Sequence, residues 1–152
     1  EITTRFGELW DIAARGELDG WRDSAEGALA LIILLDQFPL NMFRGDARSF
    51  STETTAIAVT KEAVERGFDR LLPPEQQSFL YMPLMHSEVL ADQERAVELF
   101  DAPGLESNLE FARHHREIVR RFGRFPHRNA PLGRLSTAEE REYLASEKAF
   151  KG

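Results

Sequence analysis

The apolar residues of the chain recur at the spacing of an α-helix along most of its length. The first such repeat predicts an amphipathic helix that ends near Gly16, and its apolar positions are Ile2, Phe6, Leu9 and Ala13. Nothing in the sequence predicts a strand. The pattern therefore predicts an all-α protein built from stacked antiparallel helix pairs with short connecting loops.

The second predicted helix is the most apolar segment of the chain. Asp23 and Glu26 form a capping-box-like pattern that predicts its start, and Pro39 predicts a break or kink after Phe38. The segment is apolar on every side, which is typical of a helix at the centre of a domain. Its longest apolar run, residues 28–35, is far shorter than the roughly 20 residues that cross a membrane, so we expect a buried core helix.

Proline and glycine divide the rest of the chain into five further predicted helices. They run from Ser51 or Thr52 to Gly67, from Pro73-Pro74 to Pro83, from about Pro83 to Phe100, from about Glu106 to Phe122, and from Ser136 or Thr137 past Leu144. The last of these has two alternative capping boxes, Ser136 with Glu139 or Thr137 with Glu140. The proline-containing and glycine-containing segment 124–135 is predicted to be an irregular loop.

Length and composition predict a single domain. The 152 residues match one domain of roughly 100–200 residues, so we expect one helical domain over residues 1–152. The sequence has no cysteine, which excludes a disulfide scaffold and cysteine-based metal sites and fits a cytoplasmic location. The chain does not begin with Met and a helical pattern is already present at Ile2, so we expect a short N-terminal segment to be missing.

The charges are unevenly distributed along the chain. The net charge is −7, yet residues 113–134 hold seven Arg and three His against one acid, which leaves −13 for the remainder. This segment predicts an anion-binding face or an internal set of ion pairs. The overall acidity argues against a nucleic-acid binder, which needs a broad basic surface. We expect neither a nucleic-acid partner nor a membrane partner.

Two histidines fall at the centre of predicted apolar helix faces. At about 100° per residue, His86 shares its face with Val89, Leu90 and Gln93, whereas Glu88 lies opposite. His115 likewise shares the face of the residues 118 and 119. A buried polar group without a partner costs about 1–3 kcal/mol, so we expect these groups to meet each other or a ligand.

Two polar segments could close one site with these histidines. The basic loop 124–129 could supply the counter-charge for Asp36 or Glu88, and the turn 36–41 with Arg44 could close over it. The candidate ligand-binding residues are Asp36, Asn41, Arg44, His86, Glu88, Gln93, His115, Arg124, His127, Arg128 and Asn129. A purely structural hydrogen-bond network is the alternative interpretation. We predict no cofactor and no metal site, because His86 and Glu88 lie on different faces of one predicted helix.

Three blocks of sequence carry a family resemblance. They are LALIILLDQFPLNMFRG (Leu29–Gly45), FLYMPLMHSEVLADQERAVELF (Phe79–Phe100) and RFGRFPHRNAPLGRLSTAEE (Arg121–Glu140). These blocks resemble the bacterial family catalogued as domain of unknown function 924. The resemblance implies a tetratricopeptide-like α-α superhelix and no established activity.

The resemblance also implies a set of characteristic polar positions. They correspond to Asp36, Gln37, Asn41, Arg44, His86, Ser87, Glu88, Gln93, His115, Gly123, Arg124, Pro126, His127, Arg128 and Asn129. Leu40 stands where the family pattern has Arg, so one positive charge of any anion site is missing. The aromatic-rich segment that precedes the first helix in the family is also absent, so we expect part of a pocket wall to be missing.

Three functional hypotheses remain open from the sequence. In the first, a small helical-repeat-like protein binds an anionic small molecule or a protein partner in a polar His/Arg cleft, and Arg124 and Arg128 bind the anionic group. In the second, a hydrolase or transferase uses His86 or His127 as general base, oriented by Glu88 or Asp36. In the third, the polar core is purely structural and the protein is an interaction scaffold.

Overall fold

The computed structural model describes the backbone of residues 2–152 and the side chains of residues 5–152. These residues form helices, turns and loops, with no strand among them, so the all-α prediction is confirmed. The seven α-helices are α1 (Ile2–Ala14), α2 (Ala25–Met42), α3 (Glu53–Glu65), α4 (Pro74–Met85), α5 (Leu90–Phe100), α6 (Glu106–Phe122) and α7 (Ala138–Ala145). Short 3-10 turns occupy Asp19–Asp23, Ala47–Phe50, Phe68–Leu71 and Pro126–Arg128.

Helix α2 lies at the centre of the larger hydrophobic core. Its residues Leu31, Ile32 and Leu35 are almost fully buried, and the helix packs against α1, α3 and α4. By length and composition alone α2 could cross a membrane, with a mean hydropathy of 1.2, and 44% of this window is buried inside the protein. A core helix is expected to be this apolar because several of its faces contact other helices.

The predicted start of α2 was wrong, and the break that was one of two expectations at Pro39 does not occur. Ser24, not Asp23, caps its start, because the Ser24 hydroxyl accepts a hydrogen bond from the Gly27 N–H at 3.0 Å. The helix also continues past Pro39, through a π-helical turn at Ile33–Gln37, to Met42. The carbonyl of Leu35, which a residue other than proline at position 39 would bond, instead accepts the Thr52 hydroxyl at 2.6 Å.

The predicted break at Pro83 was also wrong. Helix α4 contains Pro83 and ends at Met85, and the chain breaks over residues 86–89 instead. The Gln93 side-chain amide ends α4 by donating to the carbonyls of Met85 (2.7 Å) and Ser87 (2.6 Å). The Ser87 hydroxyl accepts the Val89 N–H at 3.1 Å in the turn that connects α4 to α5. A side chain from α5 therefore caps the end of α4, and Pro83 lies within the last turn of α4.

This shift of boundary corrects the predicted surroundings of His86. His86 is the C-cap residue of α4, directly after Met85. It does not share a helix face with Val89 and Leu90, whose side chains are exposed. Gln93 is fully buried, but it caps α4 rather than facing His86. The prediction for His115 is confirmed, since it lies inside α6 and only 4% of it is exposed.

The ends of the last two helices agree with the sequence. Gly123 ends α6 in a left-handed conformation with φ of 74°, which glycine adopts without strain. Thr137 and Glu140 form the capping box of α7, with bonds of 3.0 and 2.9 Å between each side chain and the other residue's N–H. This box is one of the two alternatives that the sequence offered.

Candidate functional site

A cavity of about 400 Å³ lies where the end of α2 faces the end of α4, α6 and the loop that follows α6. The turn Ala47–Phe50 and residues 150–152 complete its walls. It is lined by Gln37, Leu40, Asn41, Arg44, Gly45, Ser49, Phe50, Met82, His86, His115, Phe125, His127, Arg128, Pro131, Phe150, Lys151 and Gly152. The three blocks that carry the family resemblance therefore converge on one cavity.

The lining of this cavity has a marked charge bias. Two arginines, one lysine and three histidines contribute to it, and none of the described lining residues is Asp or Glu. The rest of the lining is mainly apolar and aromatic. In a protein whose net charge is −7, a lining with basic side chains and no described acidic one favours anions locally.

His86 and Asp36 form the central polar pair of the site. Nδ1 of His86 lies 2.9 Å from Oδ1 and 3.1 Å from Oδ2 of Asp36, across 50 residues of sequence. The Gln37 amide also donates to Oδ2, at 3.0 Å, and the Asp36 side chain is almost completely buried. Because a carboxylate can only accept, Nδ1 carries the proton, and Nε2 is left for the cavity.

The pKa of His86 is raised above its ordinary value of 6.5. Burial by itself lowers this pKa, but the charge of Asp36 and its hydrogen bond outweigh burial. Arg128 opposes protonation of the ring and Glu53 favours it, both more weakly. His86 is therefore held in an environment that stabilises its protonated form.

Arg128 is a buried cation beneath His86. Its guanidinium binds both carboxylate oxygens of Glu53, at 3.1 and 2.8 Å, and donates to the backbone carbonyl of His86 at 2.6 Å. It also stacks between Phe50 and Phe125, at 4.2 and 5.0 Å from their ring centroids. Burial raises the pKa of Glu53, although the bonds from Arg128 oppose this. Arg128 is thus largely occupied in holding His86 in place.

Residues of a second group, His115, Phe125, His127 and Phe150, form an aromatic wall of the cavity. The Phe150 ring lies 4.5 Å from His115 and 4.9 Å from His127, near edge-on to both. His115 Nδ1 donates to the Phe111 carbonyl at 2.7 Å. Burial lowers the pKa of both His115 and His127 to about 4, and Arg128 contributes at His127. Both rings are neutral at pH 7.

Arg44 and Asn41 approach the cavity from the end of α2. Asn41 donates its side-chain amide to the Gln37 carbonyl at 2.9 Å, so it is engaged within its own helix. Arg44 is exposed, and within the described part of the chain it has no hydrogen-bond or ion-pair partner. Arg44 is therefore the lining arginine that is available to a ligand.

Five predicted site residues do not line the cavity: Asp36, which lies behind His86, and Glu88, Gln93, Arg124 and Asn129. Arg124 binds Glu140 with bonds of 2.9 and 2.8 Å and donates to the Leu135 carbonyl, which corrects the expectation that it binds an anion beside Arg128. The ion pair helps lower the pKa of Glu140 to about 2. Gln93, as described above, caps α4.

Glu88 and Asn129 organise the loop behind the cavity instead. Glu88 accepts two bonds from Arg134, at 2.9 and 3.0 Å, and one from the Phe125 N–H at 2.7 Å. Asn129 donates to Ser136 and accepts from Arg134. The predicted counter-charge for Glu88 therefore comes from Arg134, outside the 124–129 loop.

Sequence reasoning missed three residues that shape the site. Phe50 and Phe150 line the cavity, and Glu53 pairs with Arg128. Glu53 is an acid in the first turn of α3, a position that is favourable for any acid, so nothing local distinguishes it. Within the described residues, no group of three or more His, Asp or Glu side chains could hold a metal ion.

Comparison with known proteins agrees with the family resemblance. Residues 1–148 match the family described as bacterial protein of unknown function (DUF924). Among solved structures, the chain is similar to the protein of unknown function ATU0120 from Agrobacterium tumefaciens, with 46% sequence identity and a TM-score of 0.87, over 93% of this chain and 80% of that one. No protein with a curated description matches.

Proposed function

The chain belongs to the bacterial DUF924 family, a family of unknown function, and we propose from its cavity that it binds a small organic anion. The observation that carries this proposal is the lining itself. Cationic and histidine side chains occur there beside aromatic rings, and no described lining residue is acidic. Such a lining stabilises a ligand with one negatively charged end and one apolar body.

Arg44 is the proposed anchor for the charged end. A guanidinium binds a carboxylate or phosphate through two parallel hydrogen bonds, and Arg44 has no protein partner that would compete within the described residues. Arg128 differs, because Glu53 already neutralises it. His86 adds a second donor when it is protonated, since Asp36 holds only its Nδ1.

The apolar lining is proposed to hold the body of the ligand. Leu40, Phe50, Met82, Phe125 and Phe150 form the apolar part of the lining. Leu40 takes the place of the arginine that the family resemblance implies, so this side of the cavity is less polar here. A volume of about 400 Å³ falls in the roughly 300–1,000 Å³ of small-molecule sites.

Calorimetric titration with matched ligands tests the proposal. We expect 4-phenylbutyrate to bind, and 4-phenylbutanol and 4-phenylbutylamine, which have the same body, to bind at least about tenfold more weakly. Arg44→Gln should weaken the binding of 4-phenylbutyrate by about tenfold or more. Arg48→Gln is the matched control, because Arg48 is exposed, pairs with Asp46 and does not line the cavity.

Two results would contradict anion binding at this site. One is equal affinity for the acid, the alcohol and the amine. The other is an equal effect of Arg44→Gln and Arg48→Gln on the binding of 4-phenylbutyrate, since only Arg44 lines the cavity.

The tetratricopeptide-like arrangement is kept as part of the proposal. Its support is that consecutive helices pack on each other, α4 on α5 and α5 on α6. The cytoplasmic location, the possible protein partner, and the expectation of no nucleic-acid or membrane partner stay predictions.

A further inference from the structure

We propose that Asp36 and His86 are an acid–base pair that hydrolyses a carboxylic ester whose acyl part carries an anionic group. The proposal rests on the anion binding proposed above and adds a reaction to it. The ester would place its anionic group at Arg44 and its reacting carbonyl at His86, since both residues line the same cavity.

The geometry of His86 is that of a general base directed at a ligand. Nδ1 is held by both oxygens of Asp36 at 2.9 and 3.1 Å, which fixes the tautomer and the ring plane. Nε2 makes no hydrogen bond to any described group, and it remains accessible to solvent. A histidine that served only to fill a core would have no need of this open nitrogen at a cavity.

The backbone around the pair is also held firmly in place. Asp36 lies in the π-helical turn Ile33–Gln37, a local irregularity of α2 of a kind that is frequent at functional sites. Gln37 donates to Oδ2 of Asp36, and Arg128 donates to the carbonyl of His86 at 2.6 Å. Both members of the pair are thus fixed by neighbours that do not themselves need to react, as acid–base chemistry requires.

Water is the nucleophile that fits this site. Ser49 is the described lining residue with an aliphatic hydroxyl, and its Oγ already donates to the Asp46 carbonyl at 2.7 Å. In the proposed step, Nε2 of His86 takes a proton from water while the water oxygen bonds to the ester carbonyl carbon. The carbon–oxygen bond to the leaving group then breaks, and Nε2 returns the proton to that oxygen. The products are a carboxylic acid and an alcohol.

The charged groups around His86 set the expected pH dependence. Asp36 from α2 and Glu53 from α3 favour its protonated form, whereas Arg128 opposes it. His115 and His127 are neutral near pH 7, and Arg44 and Lys151 are the exposed cations of the lining. Because the pKa of His86 is raised above 6.5, activity should increase with pH through a midpoint above that value.

A matched pair of chromogenic esters tests the reaction. We expect the wild-type protein to hydrolyse mono-4-nitrophenyl glutarate, which is anionic, faster than neutral 4-nitrophenyl butyrate. His86→Gln, which retains a donor to Asp36, should lower kcat by about 10²–10⁴. Asp36→Asn should lower kcat and shift the midpoint of the kcat/KM profile to lower pH, because the carboxylate no longer stabilises the imidazolium. His114→Gln, an exposed histidine outside the cavity, is the control and should match wild type.

The outcomes separate this proposal from anion binding. Binding of the glutarate monoester without turnover above the buffer rate overturns the acid–base proposal and leaves anion binding intact. Equal rates in wild type and His86→Gln also overturn it. If neither the monoester nor 4-phenylbutyrate binds, both proposals fail. Thermal unfolding of each variant establishes folding, and the pH profile of Asp36→Asn decides the case if His86→Gln is unfolded.

Discussion

The pKa values of the histidines shift in opposite directions on the two sides of the cavity. On one side, His86 faces the buried carboxylate of Asp36, and its pKa is raised. On the other, His115 and His127 lie in the aromatic wall, and their pKa values fall to about 4. All three histidines are partly or fully buried, so burial does not decide their charge. The presence of a carboxylate partner does.

The difference assigns separate roles to the two sides. The Asp36–His86 side favours the protonated form of the imidazole, which can exchange its proton with a ligand. The aromatic wall stays neutral and offers ring surfaces to an apolar group. Low pH, removal of the Asp36 carboxylate and removal of the Phe150 ring each test whether the two sides behave differently.

Lowering the pH should produce the largest loss of stability, because it protonates the two histidines of the aromatic wall. The pKa of His115 and His127 is lower in the folded state than in the unfolded chain, so stability falls as pH drops from about 6.5 toward 4. Each should cost about 2–3 kcal/mol near pH 4.5. Urea unfolding at pH 7.5, 6.0 and 4.5 measures this loss. His86 works in the other direction, because its raised pKa contributes stability that is lost as pH rises through that pKa.

Single substitutions show which histidines cause the loss of stability in acid. His127→Gln should flatten the decrease in the free energy of unfolding between pH 6.5 and 4.5, whereas exposed His114→Gln should not. A free energy of unfolding that stays constant over this range would show that the two rings are not held neutral by the fold.

Removing the carboxylate should convert His86 to the behaviour of the other two histidines. In Asp36→Asn, burial acts without its counter-charge, so the pKa of His86 should fall below 6.5. We expect a stability loss of about 1–3 kcal/mol at pH 7, since a buried charged hydrogen bond is replaced by a neutral one. NMR titration of the imidazole resonances measures the pKa. Asp23→Asn, an exposed site, is the control, and an unchanged His86 pKa in Asp36→Asn would contradict the pairing.

Removing the phenyl ring of Phe150 should have the smallest effect on stability, about 1–2 kcal/mol, from lost edge-on ring contacts and partial burial. Water would then reach the aromatic wall, so the pKa values of His115 and His127 should rise toward 6.5 while that of His86 stays raised. Thermal unfolding and the same NMR titration check both effects for Phe150→Ala. Phe111→Ala, at an exposed position, should change stability by less than about 0.5 kcal/mol. A rise in all three pKa values would mean that the two sides are not independent.

Local sequence signals predicted part of the fold correctly. The burial of His115 followed from helical spacing within α6, and one of the two predicted capping boxes, Thr137 with Glu140, starts α7. Pro83 misled the prediction because the end of α4 is set by Gln93, a side chain from the next helix. A cap donated from another helix leaves no mark at the position where the helix ends.

The candidate site was predicted only in part, because many of its contacts also join residues from different helices. Ion pairs were one of the two expectations for the basic segment, beside an anion-binding face, but the sequence did not show which arginine pairs with which carboxylate. Arg124 pairs with Glu140 nearby, whereas Arg128 reaches Glu53 across 75 residues of sequence. An arginine carries the same charge and the same donors wherever it lies, so its partner depends on the packing of the helices.

The sequence by itself determined the helical class, the burial of His115 and the polar character of the three blocks, because each depends on residues within one or two helical turns of each other. Only the tertiary structure decided that Asp36 meets His86, that Phe50 and Phe150 line the cavity, and that Arg44 faces it without a described partner. These contacts join segments far apart in the chain. Their energies depend on distance, burial and neighbouring charge, which exist only once the helices have packed.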